Sequence, residues 1–313
     1  MGGLILKRLL ATVPIMLIVA TVVFLLLRLS PGDPARVIAG EMATEEAVAD
    51  IRRDLGLDQP VLTQYLRWMG QLARGDLGHS VISRKPVTEL IVARLPPTLS
   101  LALSAITLTL LMAIPFGVLA AWYHGRWVDR AITATAVLAF SVPSFVIGYL
   151  LILAFSVKFT WLPVQGFRAP GDGLLEWARH LVLPTLTLAT VYVALITRIT
   201  RASMLDILGE DFVRTARAKG VTERFVLFRH ALRNAAVPIV TVVGVGVTAL
   251  ISGVVVTETI FNIAGVGRLI VDSVLARDYP VVQGTILFFS FAYIFVNLAI
   301  DVLYVLLDPR IRY

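Results

Sequence analysis

The sequence predicts an all-α integral membrane protein with six membrane-spanning helices. Hydrophobic residues make up 58% of the 313-residue chain, charged residues make up 16%, and the mean hydropathy is +0.84. Too few polar side chains are present to cover an ordinary soluble domain of this size. The apolar residues also gather in six stretches, and about 20 apolar residues suffice to cross the ~30 Å hydrocarbon core of a bilayer.

The six stretches give the predicted spans in chain order. The first follows Lys7 and Arg8, but its apolar core is too long for a signal peptide and no small-residue cleavage site follows it. We therefore expect it to be retained. The predicted spans are Leu9–Leu29, Thr98–Tyr123, Ala131–Val157, Leu181–Thr197 (continuing toward Arg201), Ala235–Thr257 and Val281–Leu307.

The formal net charge of +7 predicts the orientation of these spans. Lys and Arg mark the cytoplasmic segments of a membrane protein. With the N-terminus inside, the inner segments hold the whole positive excess, half of it between Arg198 and Arg233. The rest lies at Lys7 and Arg8, in the loop with Arg126, Arg130 and Asp129, and where Arg310 and Arg312 follow the last span. The charge therefore indicates cytoplasmic termini and needs no nucleic acid to explain it.

The outer segment from Ser30 to Pro97 is too long to be a simple connection. Capping residues and helix breakers predict a helical extracytoplasmic extension, which either contacts a partner or only covers the ends of two spans. Its three short helices are expected to begin at Thr44, Pro60 and Pro86 and to end at Gly56, Gly75 and Pro96–Pro97.

A second outer segment, 258–280, contains Gly265-Val-Gly267. This is not a dinucleotide-binding fingerprint, because Ile270 stands where the third glycine would be and no strand precedes it. Glu258, Asp272 and Asp278 could meet a substrate or a partner protein, although solvated surface charge is the commoner role of such carboxylates.

Prolines and small polar residues interrupt the spans. Each proline frees a backbone carbonyl, which in a membrane must find a hydroxyl, water or another helix, so a structural kink is the simplest expectation. The small polar face of the fifth span suits either close helix packing or an aqueous path, and the sequence leaves both open. The candidate path residues are Ser141, Pro143 and Ser144 in the third span and Thr241, Gly244, Thr248 and Ser252 in the fifth.

The polar segment after the fourth span predicts two short helices joined by a glycine. From Asp211 to Lys219, Phe212 and Ala216 lie one helical turn apart, while the basic residues face elsewhere. Gly220 follows where a helix end favours positive φ. Thr222 is placed to cap the second helix, which carries two phenylalanines.

Three interpretations of this segment compete. A DNA-binding helix-turn-helix needs a soluble domain around it, whereas here apolar spans begin close to both ends. A basic loop that follows the topology rule or binds anionic lipid headgroups explains the charge but not the two apolar faces. A docking element for a soluble partner explains both the charge and the faces.

Several motifs of other functional classes are missing from the sequence. It has no Gly-x4-Gly-Lys-Ser/Thr phosphate loop, no His-Glu-x-x-His and no Gly-x-Ser-x-Gly, so we expect no ATPase or enzyme site in this chain. It has no cysteine, and its four histidines lack metal-ligand spacing. Ion-coupled secondary transporters, the remaining alternative, usually need ionisable groups or broken helices near the midplane, and the predicted spans are almost free of charge.

The segment Asp211–Gly220 (DFVRTARAKG), followed by Arg229–Asn234 (RHALRN) and Pro238, resembles the signature loop of binding-protein-dependent ABC importer permeases in its peptide-importer form. The general pattern of that family has Glu-Ala-Ala where Arg-Thr-Ala stands here. The resemblance implies a cytoplasmic coupling helix, in the loop 202–234 between the fourth and fifth spans, that seats in a groove of the ATPase. Its implied coupling residues are Asp211, Phe212, Arg214, Thr215, Ala216, Arg217, Ala218, Lys219 and Gly220.

The resemblance extends over essentially the whole chain. Leu55–Pro60 (LGLDQP), Gly75–Gly78 (GDLG) and the segment 258–280 also look like peptide permeases, with the closest likeness to those for dipeptides and glutathione. It implies two domains, an N-terminal span with its extension at 1–97 and an importer transmembrane domain at 98–313.

The resemblance implies a subunit of an inner-membrane importer for short peptides that works by ATP-driven alternating access. Its implied partners are a second homologous permease, two ATPases that bind the ATP and Mg²⁺, an extracytoplasmic substrate-binding protein and the lipid bilayer. No cofactor is expected on this chain. An importer of a non-peptide solute such as a nickel chelate is the alternative within the family.

Overall fold

The computed structural model describes residues 2–29, 34–39, 43–54 and 56–307, and their regular secondary structure is helical. The predicted C-terminal charges at Arg310 and Arg312, and Leu55 of the extension, lie outside the described residues. The helices are α1 (Gly2–Leu29), α2 (Pro34–Ala39), α3 (Glu45–Asp54), α4 (Val61–Ala73), α5 (Val87–Trp122), α6 (Trp127–Ser141), α7 (Ser144–Leu151), α8 (Leu174–Leu208), α9 (Asp211–Ala218), α10 (Glu223–Phe225), α11 (Leu232–Ile260), α12 (Val266–Leu275) and α13 (Tyr279–Leu307).

Four helices of the described chain are long and apolar enough to cross a membrane. They overlap the predicted second, fourth, fifth and sixth spans, and a bent pair raises the count to five if it forms one span. Within α1, Leu10–Leu25 is a shorter apolar helix. The membrane class is confirmed, while the count of six spans stays a prediction. The four helices are α5, α8, Glu223–Ile260 and Tyr279–Val302.

The third predicted span, Ala131–Val157, is wrong as a single straight helix. The chain bends by 102° between α6 and the helix that begins at Ser144, and its last part, Ile152–Lys158, is a π-helix. Pro143 has no N–H to continue the hydrogen bonds of α6, and it forces the preceding Val142 into an extended conformation (φ −92°, ψ 127°). The proline therefore breaks the span rather than kinking it.

The predicted helix end at Pro96–Pro97 is also wrong. Pro86 precedes the helix as expected, but α5 continues from Val87 through both prolines to Trp122. Prolines cost a helix hydrogen bonds, yet membrane helices tolerate them because neighbouring groups satisfy the freed carbonyls. The long apolar run on the far side of the two prolines keeps the helix intact.

The described chain divides into two compact units, of which the first comprises residues 1–96 and 265–294. Within this unit, α4 packs against α1 through aromatic contacts, since the ring of Phe24 lies 5.3 Å from that of Tyr65 and 5.5 Å from that of Trp68. The hydroxyls of Thr21 and Tyr65 are 2.8 Å apart. The core of the unit consists of Val87, Ile91, Val266, Leu269 and Val281.

The predicted start of the first extension helix and the predicted ends of the first two are confirmed in this unit. The hydroxyl of Thr44 accepts a hydrogen bond from the backbone N–H of Ala47 at 3.3 Å, which caps α3. Gly56 (φ +64°) and Gly75 (φ +78°) follow α3 and α4 in the left-handed conformation that ends helices.

Asp278 of the same unit is buried, which corrects its predicted place on the solvated surface. Its carboxylate accepts hydrogen bonds from the Ser80 hydroxyl at 2.5 Å and from the backbone N–H of Val81 at 3.2 Å. The loop before α5 is thereby tied to the segment before α13. Asp272 remains half exposed, 3.6 Å from Arg268 and 3.8 Å from Arg94.

The second unit comprises residues 97–264 and 295–313. It holds two clusters of buried apolar side chains. One joins α5, α8 and α11 and includes Leu101, Leu188 and Val254. The other includes Met204, Leu227 and Ala235, and so joins the end of α8 to the start of the helix that follows α9.

Glu258, near the end of α11, is fully buried in this second unit, and its predicted solvated position is wrong. It accepts a hydrogen bond of 2.6 Å from the hydroxyl of Thr98 on α5. Buried carboxylates need such donors, because burial without them is costly. The sequence could not reveal this contact, because the two residues are 160 positions apart.

Candidate functional site

The predicted amphipathic helix is present as α9, Asp211–Ala218. Its buried side consists of Val213 and Ala216, three positions apart on one face. The apolar face was predicted to consist of Phe212 and Ala216, and Phe212 is instead exposed. Phe212 and Val213 lie four and three positions before Ala216, so both are its neighbours on the helix and the spacing alone could not decide which of them is buried.

A tight turn centred on Gly220 ends α9. Gly220 has φ +78°, as predicted. The backbone N–H of Gly220 donates to the carbonyl of Arg217 at 2.9 Å, and that of Val221 donates to the carbonyl of Ala216 at 3.2 Å. This pair of hydrogen bonds is a Schellman motif, in which the residue after the C-cap is left-handed. The local sequence therefore fixes where the helix ends.

The second predicted helix begins at Glu223, but it does not stand alone. Its first turn passes into a π-helical turn, Val226–Ala231, and then into α11, so that helix continues from Glu223 to Ile260. Thr222 lies at the N-cap without a side-chain hydrogen bond, so its predicted capping is wrong. The segment after Gly220 is thus the exposed end of a membrane helix.

The exposed side of this site combines aromatic and cationic residues. Phe212, Phe225 and Phe228 are between 43% and 59% exposed. The guanidinium of Arg229 lies 5.6 Å from the centre of the Phe225 ring, a cation–π contact. Exposed phenylalanines with arginines beside them are typical of the central residues of protein interfaces rather than of solvated loops. We call the exposed faces of α9 and of residues 223–229 the docking surface.

Ion pairs hold the two parts of the docking surface together. The guanidinium of Arg217 donates to the carboxylate of Glu223 at 2.8 and 3.3 Å, which bridges the Gly220 turn. Arg214 donates to Asp211 at 3.3 Å within α9. Arg224 and Lys219 are also exposed on this surface. Because both pairs are exposed, they position the backbone more than they stabilise the fold.

The docking surface rests on buried side chains of the second unit, to which it belongs. α9 contacts the π-helical turn, whose Val226, Leu227 and Ala231 are buried. Leu227 and Ala231 belong to the cluster that also includes Met204 of α8. The site therefore rests on the π-helical turn, two of whose buried residues join the ends of two candidate membrane spans.

The structure places the predicted path residues in different environments. Gly244 and Thr248 are buried, and a Cβ at Gly244 would lie 2.7 Å from Cγ2 of Ile300, so these two positions serve close packing within the unit. Thr241 and Ser252 lie on the same face of α11, nearer its two ends, and are exposed. Ser141 and Pro143 are exposed at the break of the third span, and Ser144 is half-buried there.

A cavity of about 330 Å³ lies between α5, α6 and α8, in a place that the sequence did not indicate. Its walls are apolar except for Thr135, Thr190 and Thr197. Two of these hydroxyls donate to backbone carbonyls, Thr190 to Leu186 at 2.6 Å and Thr197 to Ala113 at 3.4 Å. Its lining residues are spread over three helices, so no local pattern could have identified them.

Among the described residues, His, Asp and Glu side chains form no group of three that could hold a metal ion. The site at α9 combines a buried apolar inner face, an exposed aromatic and cationic outer face, and a turn fixed by Gly220.

Comparisons with known proteins agree with this description. A model of the family described as binding-protein-dependent transport system inner membrane component matches residues 113–313, and a model of the N-terminal part of such membrane components matches residues 1–102. The chain is 50% identical over its full length, and the full length of the relative, to a "Probable peptide ABC transporter permease protein" of Sinorhizobium fredii.

A second relative is a glutathione transport system permease protein of Salmonella paratyphi A, with 45% identity over 99% of this chain and 98% of the relative. The solved structure of the MetNI methionine ABC transporter in an inward-facing conformation aligns with a TM-score of 0.58 at 16% identity, over 71% of this chain and 97% of that one. The likeness to this structure concerns the fold alone. This chain thus belongs to the family of inner membrane components of binding-protein-dependent ABC transport systems.

Proposed function

We propose that this chain is one of two permease subunits of an ABC importer that moves short peptides of the dipeptide, oligopeptide or glutathione type across the cytoplasmic membrane. Its family membership supports the importer subunit and disfavours a secondary transporter. The substrate class rests on the relatives named for peptide and glutathione transport. In this proposal α1 is the first of six spans, the bent pair is the third, and both termini are cytoplasmic.

The observation that carries the proposal is the docking surface. Val213 and Ala216 fix α9 on the membrane domain, while Phe212 and the arginines face outward. An exposed phenylalanine on a rigid helix gains free energy when a partner buries it, and the surrounding cations select a surface of opposite charge. A groove of an ATPase subunit is the partner that the family supplies.

ATP and Mg²⁺ are bound by the two separate ATPase subunits, and this chain binds no cofactor. When the ATPases close, the docked α9 shifts, and the cluster around Leu227 passes the displacement to α8 and to the helix Glu223–Ile260. A central path then opens alternately to the two sides of the membrane. Such coupling requires that the two conformations differ in their contacts with the ATPase.

An extracytoplasmic substrate-binding protein delivers the peptide on the side of α2–α4, and a second, homologous permease completes the path. Thr241 and Ser252, which are exposed on α11, are the path candidates that remain available to a solute, together with Ser141 and Pro143 at the break. Gly244 and Thr248 instead allow α11 to pack closely within the unit.

The test is purification of the chain from its native membrane in mild detergent, followed by mass spectrometry of what accompanies it. We expect two ATPases and a second permease. The variant Phe212→Ser should lose the ATPases and keep the permease, whereas Leu62→Ser, which changes an even more exposed apolar residue on α4, should keep both. Recovery of the chain alone, with ATP-independent transport after reconstitution, would overturn the proposal.

The substrate class has a separate test. The accompanying binding protein is titrated with dipeptides, glutathione and nickel chelates in turn. Binding of peptide or glutathione supports the proposal, and binding of a nickel chelate alone would replace the substrate while leaving the importer assignment in place.

A further inference from the structure

A buried ion pair joins two helices of the second unit at a distance from the docking surface. Asp129, in the first turn of α6, is 3% exposed. The Nε and Nη2 atoms of Arg201 on α8 donate to its two carboxylate oxygens at 2.6 and 2.8 Å, so the pair is bidentate. In the sequence both residues contribute only to the charge pattern that predicts the topology.

Further groups complete the surroundings of the Asp129 carboxylate. The backbone N–H of Gly125 donates to it at 2.9 Å and the hydroxyl of Thr133 at 3.3 Å. Nδ1 of His124 lies 3.2 Å from Oδ2 and 3.1 Å from Nη2 of Arg201. Four groups therefore make five contacts with one carboxylate, which is far more than a surface carboxylate needs.

The pair cannot open without a large cost. If α6 and α8 separated here, Asp129 would stay buried without its counter-charge, and a buried charge that loses its partner is strongly unfavourable. The two helix ends are therefore joined in every conformation that keeps Asp129 buried. The contact is a constraint on movement as much as a contribution to stability.

Arg201 lies near the end of α8, so the constraint acts on the part of the chain that leads into α9. It lies about two turns before α8 ends at Leu208, and α9 begins at Asp211. At the adjacent residue, Thr200, α8 lies so close to α5 that a Cβ at Gly117 would be 2.4 Å from the Thr200 Cβ. The end of α8 is thus held by α5 on one side and by α6 on the other, directly before the docking surface.

We propose that Arg201 and Asp129 are positioning residues that make the start of α6 follow α8 when the docked α9 moves. Because α6 leads to the 102° break after Ser141, displacement at α9 reaches the broken span through this pair. The inference rests on the proposed importer function and deepens it. Without the pair, α9 could move with the ATPase while the broken span stays in place, and ATP would be hydrolysed without transport.

The test uses the complete importer reconstituted in vesicles, with ATP hydrolysis and uptake of the identified substrate measured side by side. For Asp129→Asn and Arg201→Gln we expect continued hydrolysis with uptake per ATP lowered about tenfold or more, since a broken buried pair no longer holds α6. Arg201→Lys keeps the charge, which protects the fold, but loses the bidentate geometry, and should lower the ratio less. The matched control is Arg179→Gln on the same helix, whose pair with Glu176 is exposed.

A covalent link between positions 129 and 201 should restore uptake per ATP, a recovery that a merely structural role of the two residues would not show. The chain contains no cysteine, so Asp129→Cys with Arg201→Cys offers one defined pair for a short bifunctional thiol reagent. Uptake per ATP should be low before linking and recover afterwards, while the reagent should not restore either single cysteine variant.

The outcomes separate the two proposals. If the complex without substitutions does not bind the ATPases, or does not hydrolyse ATP at all, the proposed importer function itself is wrong. Two results would overturn the role of Arg201 and Asp129 while leaving the importer function intact. One is normal uptake per ATP in Arg201→Lys and in every neutral variant that assembles. The other is that linking the two cysteines does not change uptake per ATP.

Discussion

Replacing Gly220 tests the coupling assignment most directly, because this residue acts through its backbone alone. Its φ is +78°, and no atom lies within 4 Å of the place where a Cβ would stand. A substitution therefore meets no steric obstacle from neighbouring residues. Within this chain the effect must come from the conformational preference of the new residue in the turn that ends α9, and Gly220→Asn controls for the added side chain itself.

The size of the effect follows from that preference. An ordinary residue in the left-handed region costs about 1–2 kcal/mol, and a β-branched residue costs more. At this cost the native turn becomes roughly 5- to 30-fold less favoured relative to other conformations. Asparagine tolerates the region, so the expected order of turn stability is Gly, Asn, Ala and then Val.

The assay is uptake and ATP hydrolysis in vesicles that contain equal amounts of each complex. We expect Gly220→Asn to remain close to the unchanged protein, Gly220→Ala to lose part of its uptake, and Gly220→Val to lose most of it while still inserting in the membrane. If the valine variant matches the asparagine variant in uptake at equal abundance, the turn does not position α9 for coupling and the reasoning is refuted.

Three further predictions concern stability and are measured by thermal unfolding in detergent. Gly117→Val should lower stability by about 1–3 kcal/mol through overpacking against α8, whereas Gly70→Ala, with no atom near its Cβ position, should not lower it. Thr98→Val should cost about 1–3 kcal/mol because the buried Glu258 carboxylate loses a donor. Arg217→Ala should change stability by less than about 1 kcal/mol because its ion pair is exposed, and a larger loss would contradict that assignment.

The sequence predicted those features that depend on a few neighbouring residues. Thr44 and the glycines after α3, α4 and α9 act through local backbone geometry, so their positions in the sequence sufficed. Long apolar runs likewise predicted four helices that could span the membrane. The docking helix was placed correctly, although its buried face is formed by Val213 rather than Phe212.

Features that depend on distant residues could not be predicted in this way. Glu258 and Asp278 were expected on the surface because each stands in a polar segment, yet both are buried by partners far away in the chain. Pro143 correctly predicted an interruption of the third span, but the angle of the bend is set by tertiary packing. The ion pair of Asp129 and Arg201 spans 72 positions and leaves no local pattern.

The continuous helix Glu223–Ile260 has a mechanical consequence that follows from its length. Its 38 residues extend for about 57 Å at 1.5 Å per residue, and the hydrocarbon core of a bilayer accounts for only about 30 Å of this. In the proposed arrangement of six spans, the remainder extends beyond the hydrocarbon core and Phe225 lies at its cytoplasmic tip. A tilt of the helix that is small at the centre of the bilayer becomes a displacement of several ångströms at that tip.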